Sequence, residues 1–240
     1  MDDWNRSLDF PALLNARDLG GHPTVDGVRT RRRSLLRADD LAQLTEQGLR
    51  ALADYRVETV LDLRWPEEIA LQPSPVPRIR GLRYQPVSLL ADSAAEWRAL
   101  GGGCAKEQWI CTVLEHMQPQ LRQALGVIAA APAGPLLFHC VAGKDRTGLI
   151  AALLLTLADA VPEAIAADYA ASAECLREAY LARYADGDRA AIIEAVRCPE
   201  EGVYNMLAWL EAEGGVGAYL RRIGLSAAEI ARLRGRLRAA

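Results

Sequence analysis

Short apolar stretches bounded by turn residues recur along the first part of the chain, and helix-like stretches lie between them. The apolar stretches are four to seven residues long, which is typical of buried strands, and they cover residues 12–15, 34–37, 57–63, 82–88 and 136–139. Thr45 can cap a helix that runs to about Tyr55, and Pro119 opens another that reaches about Ala131. Strands that alternate with helices predict an α/β fold, with a mostly parallel central sheet of about four or five strands flanked by helices.

From about residue 160 to the end of the chain the strand signal stops, and the pattern predicts helices only. Gly214 and Gly215 interrupt one of these helices. Ser226 and Glu229 have the spacing of a capping box, in which the two side chains satisfy the first amides of a helix. No repeat or linker divides the chain. We therefore expect a single domain over residues 1–240 with a helical part from 160 to 240.

Residues 91–117 do not fit this alternation. Three glycines at 101–103 separate two stretches that carry Trp97, Trp109 and Met117. A glycine hinge between amphipathic segments is typical of a lid over an active site. Two helices packed on the edge of the sheet with a loop between them explain the same pattern. The sequence leaves both interpretations open.

Composition and charge narrow the class of protein. The chain has 240 residues, of which 51% are hydrophobic and 25% charged, enough to bury the core of one large domain. Its formal net charge of −3 differs from the basic balance typical of proteins that bind nucleic acids or anionic membranes. We therefore expect no nucleic-acid partner, and any anion site has to be local.

Cysteine usage and the N-terminal sequence bear on cofactors and compartment. Five cysteines without a CxxC pair favour neither a disulfide framework nor a zinc site, so we expect no metal and no cofactor. The N-terminal residues lack the pattern of a signal peptide. The longest apolar run, residues 149–158, is shorter than the roughly 20 residues that span a bilayer. We expect a cytoplasmic protein without a transmembrane segment, and export without a signal peptide stays open.

The sequence HCVAGKDRTG, residues 139–148, lies between the apolar stretches PLLFH and GLIAALLLTL. This order predicts a strand, a tight loop and a buried helix. The amides of such a loop converge on one point, where the positive end of the following helix favours an anion. Arg146 adds a planar guanidinium that matches two oxygens of a phosphate. The predicted phosphate-binding residues are Val141, Ala142, Gly143, Lys144, Asp145 and Arg146.

Cys140 determines what such a loop can do with a bound phosphate. The positive potential of the amides and of Arg146 favours the thiolate form near neutral pH. A thiolate beneath a phosphoryl group is placed for in-line attack, which gives a cysteinyl-phosphate that water then hydrolyses. Thr147 is placed to donate its hydroxyl to the sulfur, and His139 to fix the loop by hydrogen bonds. The pattern predicts a metal-independent phosphomonoester hydrolase with inorganic phosphate or a similar oxyanion as loop ligand.

Other classes of protein share parts of this pattern. An ATP-type phosphate loop needs glycine at the position of Phe138 and serine or threonine at the position of Asp145. A rhodanese or arsenate-reductase type of enzyme has a cysteine loop after a strand, but that class does not explain Arg146 followed by Thr-Gly. A phosphate-recognition module without turnover would typically lack the cysteine or the acid. The hydrolase therefore leads, with the recognition module as the alternative from another class.

HCVAGKDRTG resembles the HCxxGxxRTG signature of cysteine-based phosphatases, and its GKDRTG form resembles the bacterial protein tyrosine phosphatase B group. Four further segments are similar to landmarks of that group in the same order: NARDLGG at 15–21, VLDLRWPEE at 60–68, ADYAAS at 167–172 and GLSAAEIARLRGRL at 224–237. The resemblance implies the cysteine-phosphatase fold and activity on phosphotyrosine, on phosphoserine or phosphothreonine, and on phosphoinositides. It also implies Cys140 as nucleophile and Arg146 as phosphate clamp, with Lys144 and Asp145 in the loop.

The leaving oxygen of a phosphoester has to receive a proton, so we expect a carboxylic acid close to the loop. The resemblance implies that Asp145 can supply it. Asp92 follows the fourth predicted strand, where many dual-specificity phosphatases are similar in carrying a general acid. Asp62 ends the third, and the carboxyl ends of parallel strands gather on the ligand side of a sheet. The alternatives are an ion pair of Asp62 with Arg17 or Arg64, and a helix cap at Asp92.

Two charged segments receive a structural interpretation. Residues 65–67 read Trp-Pro-Glu, which is similar to the Trp-Pro-Asp loop of other tyrosine phosphatases. Because they directly follow the DLR segment, a different place in the chain order, we interpret Glu67 and Glu68 as the start of a surface helix. Five arginines lie between Arg29 and Arg37, and we interpret them as the solvated face of a hairpin.

Overall fold

The sheet of this protein is described by a computed structural model that covers residues 6–91, 93–100 and 103–238. Its strands are β1 (Arg17–Asp18), β2 (Leu35–Ala38), β3 (Thr59–Asp62), β4 (Arg83–Pro86) and β5 (Leu136–His139). They lie in the order β1-β2-β5-β3-β4, with β1 antiparallel to β2 and all other neighbours parallel. The predicted mostly parallel sheet is confirmed.

The middle of the sheet brings three strand ends together. In β5, His139 pairs with Ala38 of β2 on one side and with Asp62 of β3 on the other. These three strands are buried along their whole length, as expected of parallel strands with both faces covered. Because they run in the same direction, their carboxyl ends meet at one edge. Cys140 follows directly at this edge.

Eleven α-helices surround the sheet in the part of the chain that the structure describes. They are α1 (Glu46–Asp54), α2 (Pro66–Leu71), α3 (Ala94–Ala99), α4 (Lys106–His116), α5 (Gln118–Ala130), α6 (Asp145–Leu157), α7 (Pro162–Arg183), α8 (Arg189–Val196), α9 (Glu200–Ala212), α10 (Val216–Arg222) and α11 (Ala227–Leu237). The predicted helical character after residue 160 is confirmed. No helix among the described residues is long and apolar enough to cross a membrane.

Two hydrophobic clusters cover the two faces of the sheet. Successive side chains of a strand point to opposite faces, so Leu136 and Phe138 of β5 join the larger cluster while Leu137 joins the smaller one. The larger cluster includes α6, which is buried along almost its whole length. The smaller cluster includes Leu52 of α1. The helix that carries the predicted arginine is therefore anchored in the main core.

Several helix ends lie where the sequence predicts them. The Thr45 hydroxyl accepts a hydrogen bond from the Gly48 amide at 3.3 Å and caps α1. Ser226 and Glu229 form the predicted capping box of α11. Gly215 lies between α9 and α10 with φ of +90°, a left-handed conformation that glycine adopts without strain. Local sequence signals thus determine these boundaries.

The strand predicted at residues 12–15 is wrong. This segment forms a turn, and β1 begins only at Arg17. The amides of Leu14 and Asn15 donate to the carboxylate of Asp39 at distances of 3.0 to 3.1 Å. A side chain from elsewhere in the chain therefore satisfies the backbone groups that a strand would have paired with its neighbour.

The described part of residues 91–117 packs into the main core. Trp97 of α3 is 5% exposed and contacts the ring of Trp109 edge to face, with centroids 6.2 Å apart. On α4, Ile110, Val113 and Leu114 are fully buried. These side chains belong to the main core, and the lid over residues 91–117 stays a prediction. Residues 92, 101 and 102 lie outside the described part of the chain.

Candidate active site

The loop after β5 turns its carbonyl oxygens away from one common side. Three consecutive carbonyls accept hydrogen bonds from outside the loop: Val141 from the Asp40 amide at 3.0 Å, Ala142 from Asn15 Nδ2 at 3.0 Å, and Gly143 from the Arg37 guanidinium at 2.7 Å. In a planar trans peptide the next amide points opposite to the carbonyl. The amides of Ala142, Gly143 and Lys144 therefore face the common side, where no described residue accepts from them. Beside the amino end of α6, they form a group of free donors of the kind that binds anions.

Gly143 is required by both its conformation and its surroundings. Its φ is +65°, in the left-handed region. A Cβ atom at this position would lie 2.5 Å from the carbonyl oxygen of Ala38 at the end of β2. The loop therefore packs directly on the sheet edge, which a side chain would prevent.

Cys140 and Thr147 lie at the base of this loop. Cys140 is a free cysteine with 2% exposure, at the junction of β5 and the loop. Thr147, in the first turn of α6, is fully buried, and its hydroxyl has no hydrogen-bond partner among the described residues. An unpaired buried hydroxyl costs free energy, so such groups usually have a partner or a function. The Thr147 hydroxyl thus retains its capacity to donate a hydrogen bond.

Arg146 is held in place by a carboxylate and an aromatic ring. Its Nη1 and Nη2 atoms donate to the two oxygens of Glu68 at 2.6 and 2.9 Å, and Nη1 also donates to the Leu63 carbonyl at 3.3 Å. The guanidinium carbon lies 4.8 Å from the ring centroid of Trp65. An arginine has five N–H groups, and these contacts use both on Nη1 and one on Nη2. The N–H of Nε and the second N–H of Nη2 are left to hold an anion. The fork is therefore oriented before any ligand binds.

The interpretation of Glu68 as only part of a surface helix is therefore incomplete. Its helix, α2, starts directly after the carboxyl end of β3, at the same sheet edge as the loop. Glu68 also accepts a hydrogen bond from the Trp65 amide at 2.7 Å, which fixes its side chain. The sequence signal that could have identified Glu68 is its position shortly after a predicted parallel strand, because the carboxyl ends of such strands gather on the ligand side of a sheet.

Lys144 and Asp145 pair at the entrance of α6. Lys144 Nζ donates to Asp145 Oδ1 at 3.1 Å. The Lys144 side chain is 10% exposed, whereas the Asp145 side chain is 42% exposed. Asp145 is therefore a solvent-accessible carboxylate in the immediate neighbourhood of Arg146. A proton donor to a leaving group needs this accessibility.

Comparison with known proteins agrees with this geometry. A family model described as the tyrosine phosphatase family matches residues 8–239. The chain belongs to the tyrosine phosphatase family. It is 35% identical to a tyrosine-protein phosphatase of Nostoc commune over 85% of this chain and 74% of that protein. It is 28% identical to the triple specificity protein phosphatase PtpB of Mycobacterium tuberculosis over 95% of this chain and 97% of that protein.

Among solved structures, P. aeruginosa TpbA shares 19% identity, with a TM-score of 0.28 over 73% of this chain and 87% of that chain. That likeness is too low to support an argument. The family assignment confirms the predicted resemblance to bacterial cysteine-based tyrosine phosphatases. The chain is a phosphoric monoester hydrolase of the protein-tyrosine-phosphatase type.

The other two aspartates considered as proton donors have different positions in this phosphatase. Asp62 is fully buried and accepts from Arg64 Nη2 at 2.7 Å and from the Tyr84 hydroxyl at 2.6 Å. Burial opposes its charge, but His139, Arg64 and Tyr84 together lower the pKa of Asp62. The structure thus shows the ion pair with Arg64 that was the alternative to catalysis. Asp92 lies outside the described residues.

His139 is buried beneath the loop. Its Nδ1 atom lies 3.2 Å from the carbonyl oxygen of Cys140. A carbonyl oxygen only accepts, so Nδ1 carries the hydrogen. Burial lowers the pKa of His139 below that of an exposed histidine. This hydrogen bond agrees with the predicted role of His139 in fixing the loop.

Asp168 of α7 lies between two buried arginines. It accepts from Arg17 Nε at 2.9 Å and from Arg37 Nη1 at 2.5 Å. The hydroxyl of Ser172, one turn further along α7, accepts from both arginines at 3.0 and 3.2 Å. Burial lowers the pKa of Arg37 to about 10, so its guanidinium still carries a charge at neutral pH. One carboxylate therefore offsets two buried positive charges.

The same two arginines reach the loop that follows β5. Arg37 donates directly to the Gly143 carbonyl at 2.7 Å. Arg17 donates to the side chain of Asn15, which in turn donates to the Ala142 carbonyl at 3.0 Å. Two of the three outward carbonyls of the loop are therefore fixed by the network that Asp168 organises.

The interpretation of Arg37 as part of a solvated arginine face is wrong. Arg37 is fully buried, because β2 lies inside the sheet and the pairing of β2 with β5 points this side chain towards α7. The segments NARDLGG and ADYAAS, which carry the resemblance, contribute Arg17 and Asp168. The sequence showed these segments as landmarks but not that they form one ion cluster.

Replacing Asp168 with asparagine should destabilise the protein and loosen the loop. D168N leaves Arg17 and Arg37 buried without an opposing charge, and breaking a buried pair costs roughly 3 to 5 kcal/mol. Urea unfolding measures this loss. E46Q removes the exposed Glu46–Arg50 pair and should leave stability unchanged, since exposed pairs contribute little. If D168N does not fold, S172A provides the test, with weaker phosphate binding in calorimetry as the expected result.

The same ion cluster predicts a pH dependence. Burial opposes ionisation of Asp168, but Arg17 and Arg37 hold its pKa well below the ordinary value of an aspartate. The native state therefore binds fewer protons than the unfolded state at low pH. Its contribution to stability should be present above the ordinary aspartate pKa and lost as the pH falls below it. Unfolding curves of the wild-type and S172A proteins across this range measure the effect, and unchanged stability on acidification contradicts it.

Replacing Glu68 with glutamine should reduce kcat/KM roughly 10- to 100-fold, because Arg146 loses its fixed orientation towards the phosphate. Steady-state kinetics on an aryl phosphate measures the change. E67Q alters the exposed neighbour on the same helix and serves as the matched control. Equal kinetics for E68Q and the wild-type protein would show that the loop alone orients Arg146.

Proposed function

We propose that this phosphatase removes phosphate from phosphotyrosine in proteins by way of a cysteinyl-phosphate on Cys140. The observation that carries the proposal is the orientation of the loop. Its carbonyls are tied outward, so its free amides face one side, with Cys140 at the base and Arg146 already oriented. Donors that are fixed in advance need no reorganisation when charge develops in the transition state.

In the first step the thiolate of Cys140 attacks phosphorus. A sulfur–phosphorus bond forms as the bond between phosphorus and the tyrosine oxygen breaks, and Asp145 donates its proton to that oxygen. The loop amides and the free N–H groups of Arg146 hold the other three phosphate oxygens. The exposure of Asp145 supports its role as the proton donor. Asp62 fits that role less well, because it is buried in an ion pair with Arg64.

In the second step water attacks phosphorus and the sulfur leaves as a thiolate. Asp145, now ionised, accepts the proton of the attacking water, and inorganic phosphate is released. Thr147 donates its hydroxyl to the sulfur and stabilises the negative charge there. Its unpaired buried hydroxyl supports this role. No metal ion takes part in either step.

Phosphoserine and phosphothreonine are further proposed substrates, a proposal that the name of the triple specificity relative supports. Phosphoinositides, the alternative substrates that the sequence resemblance implies, receive less support from the site. The Lys144 side chain is largely buried and bound to Asp145, so it offers no free charge to the additional phosphates of an inositol ring. A recognition module without turnover also receives less support, because nucleophile, clamp and acid are all present at one loop. Phosphotyrosine in proteins therefore leads.

Replacing Cys140 with serine should abolish turnover but retain phosphate binding. The loop amides and Arg146 remain, while a serine hydroxyl does not ionise near neutral pH, so we expect a loss of at least about 10³-fold in kcat. Aryl phosphate turnover and calorimetry with inorganic phosphate measure the two properties. Turnover of the wild-type protein should persist in a chelator. Substantial residual activity in C140S would refute the assignment of the nucleophile.

Replacing Asp145 with asparagine should slow substrates with poor leaving groups most. General acid catalysis contributes roughly 10²- to 10⁴-fold, and an activated aryl phosphate departs without a proton. We expect D145N to lose kcat on a phosphoserine peptide and much less on the aryl phosphate, with a flatter basic limb of the pH profile. D62N and D92N, assayed with the same pair, are the comparison. Equal losses of D145N on both substrates would indicate that Asp145 only shapes the loop.

A further inference from the structure

A cleft of about 460 Å³ opens beside the catalytic loop. Its lining includes Val141, the residue after the nucleophile, and Glu68, which holds Arg146. The facing wall is the carboxyl end of α7, with Leu176, Tyr180, Arg183 and Tyr184. The volume lies in the range of about 300 to 1,000 Å³ that is typical of ligand sites. Because Val141 belongs to both, the cleft is continuous with the phosphate site.

The rim of this cleft is apolar and exposed. Four large apolar side chains that remain in solvent line it: Leu14 at 46% exposure, Leu71 at 82%, Val141 at 38% and Tyr184 at 49%. Tyr184 also contacts Tyr180 edge to face, with ring centroids 6.0 Å apart, so α7 presents an aromatic wall. Clustered exposed apolar groups mark binding surfaces, whereas single ones do not.

The carboxylates of the cleft have partners within the fold, whereas its arginine has no carboxylate partner among the described residues. Its three carboxylates all have partners in the fold: Asp39 in the amides of Leu14 and Asn15, Asp40 in Arg64, and Glu68 in Arg146. Arg183 has no carboxylate partner among the described residues, and its guanidinium carbon lies 5.7 Å from the centroid of the Tyr184 ring. Among the described lining residues, Arg183 is thus a positive charge without an opposing carboxylate, and it lies next to apolar surface.

This combination fits a polypeptide better than a phosphoinositide. An inositol ring with several phosphates needs several cations, and the described lining offers the single arginine Arg183. Val141 belongs to the loop and also lines the cleft. A protein substrate whose phosphate lies in the loop therefore has to place its neighbouring residues over the rim of the cleft. Apolar neighbours would bury the exposed rim, and an acidic neighbour would pair with Arg183.

We propose that this cleft binds the residues that flank the phosphotyrosine of a protein substrate. It selects a large apolar side chain next to the phosphotyrosine and an acidic residue within reach of Arg183. The inference rests on the proposed function and names its substrate class. Tyr180, Arg183 and Tyr184 are then specificity residues, which contact the substrate away from the reacting atoms.

The first test compares matched phosphotyrosyl peptides. Leucine or phenylalanine next to the phosphotyrosine should raise kcat/KM about tenfold over glycine, the lower end of what an apolar pocket provides. Glutamate in place of lysine at the following positions should add about threefold, as expected of a partly exposed ion pair. Equal kcat/KM across the set overturns the inference.

The second test locates this preference in the cleft. Y184S should remove the preference for apolar residues, and R183Q the preference for acidic ones, both through KM. Y204S and R189Q change exposed residues of α9 and α8 outside the cleft and are the matched controls. Turnover of a small aryl phosphate should stay unchanged in Y204S and R189Q, and it normalises the peptide kcat/KM of Y184S and R183Q. A peptide preference that survives Y184S and R183Q overturns the assignment.

A third arm uses phosphatidylinositol phosphate in vesicles of neutral lipid. Vesicle turnover that falls in Y184S and R183Q, with peptide turnover unaffected, would assign the cleft to lipid and overturn the inference. Failure of the proposed function has a different signature. In that case free phosphotyrosine and the aryl phosphate would not be hydrolysed by the wild-type protein at all, whatever the peptides show.

Discussion

The ion cluster of Asp168 with Arg17 and Arg37 determines the geometry of the loop that follows β5, the proposed phosphate site. All three side chains are buried, and a buried charge is tolerated only with partners in good geometry. The cluster therefore fixes α7, β1 and β2 relative to one another. Because its arginines bind two loop carbonyls, directly or through Asn15, the same constraint fixes the loop. Stability and the geometry of the loop thus share one set of contacts.

The direction of two peptide groups of the loop follows from this constraint. A peptide presents either its carbonyl or its amide to a given side, so a loop that ties its carbonyls outward has to turn its amides inward. Gly143 makes the arrangement sterically feasible, since the loop lies against the end of β2. An inward carbonyl would repel a phosphate. The proposed phosphate site is therefore built largely from backbone that the surrounding side chains orient.

Arg146 is likewise oriented in advance by neighbouring side chains. Glu68 and Trp65 restrict the guanidinium of Arg146. The entropic cost of ordering this side chain therefore arises on folding and not on substrate binding. Burial opposes the charge, yet the hydrogen-bonded Glu68 raises the pKa of Arg146. The Arg146 guanidinium is therefore charged and oriented in the free protein. The same α2 that carries Glu68 also borders the cleft beside the loop, so orientation of the clamp and the substrate surface are joined in one element.

The sequence by itself determines the α/β class, four of the five strands, the capped helices and the loop around Cys140, because periodicity, caps and motif spacing are local properties. Tertiary structure decides the rest. Only the pairing of β2 with β5 buries Arg37, only the meeting of strand ends brings Glu68 to Arg146, and only Asp39 turns residues 12–15 away from a strand. In each case the deciding partner is distant in sequence, and burial and charge pairing depend on such distant contacts.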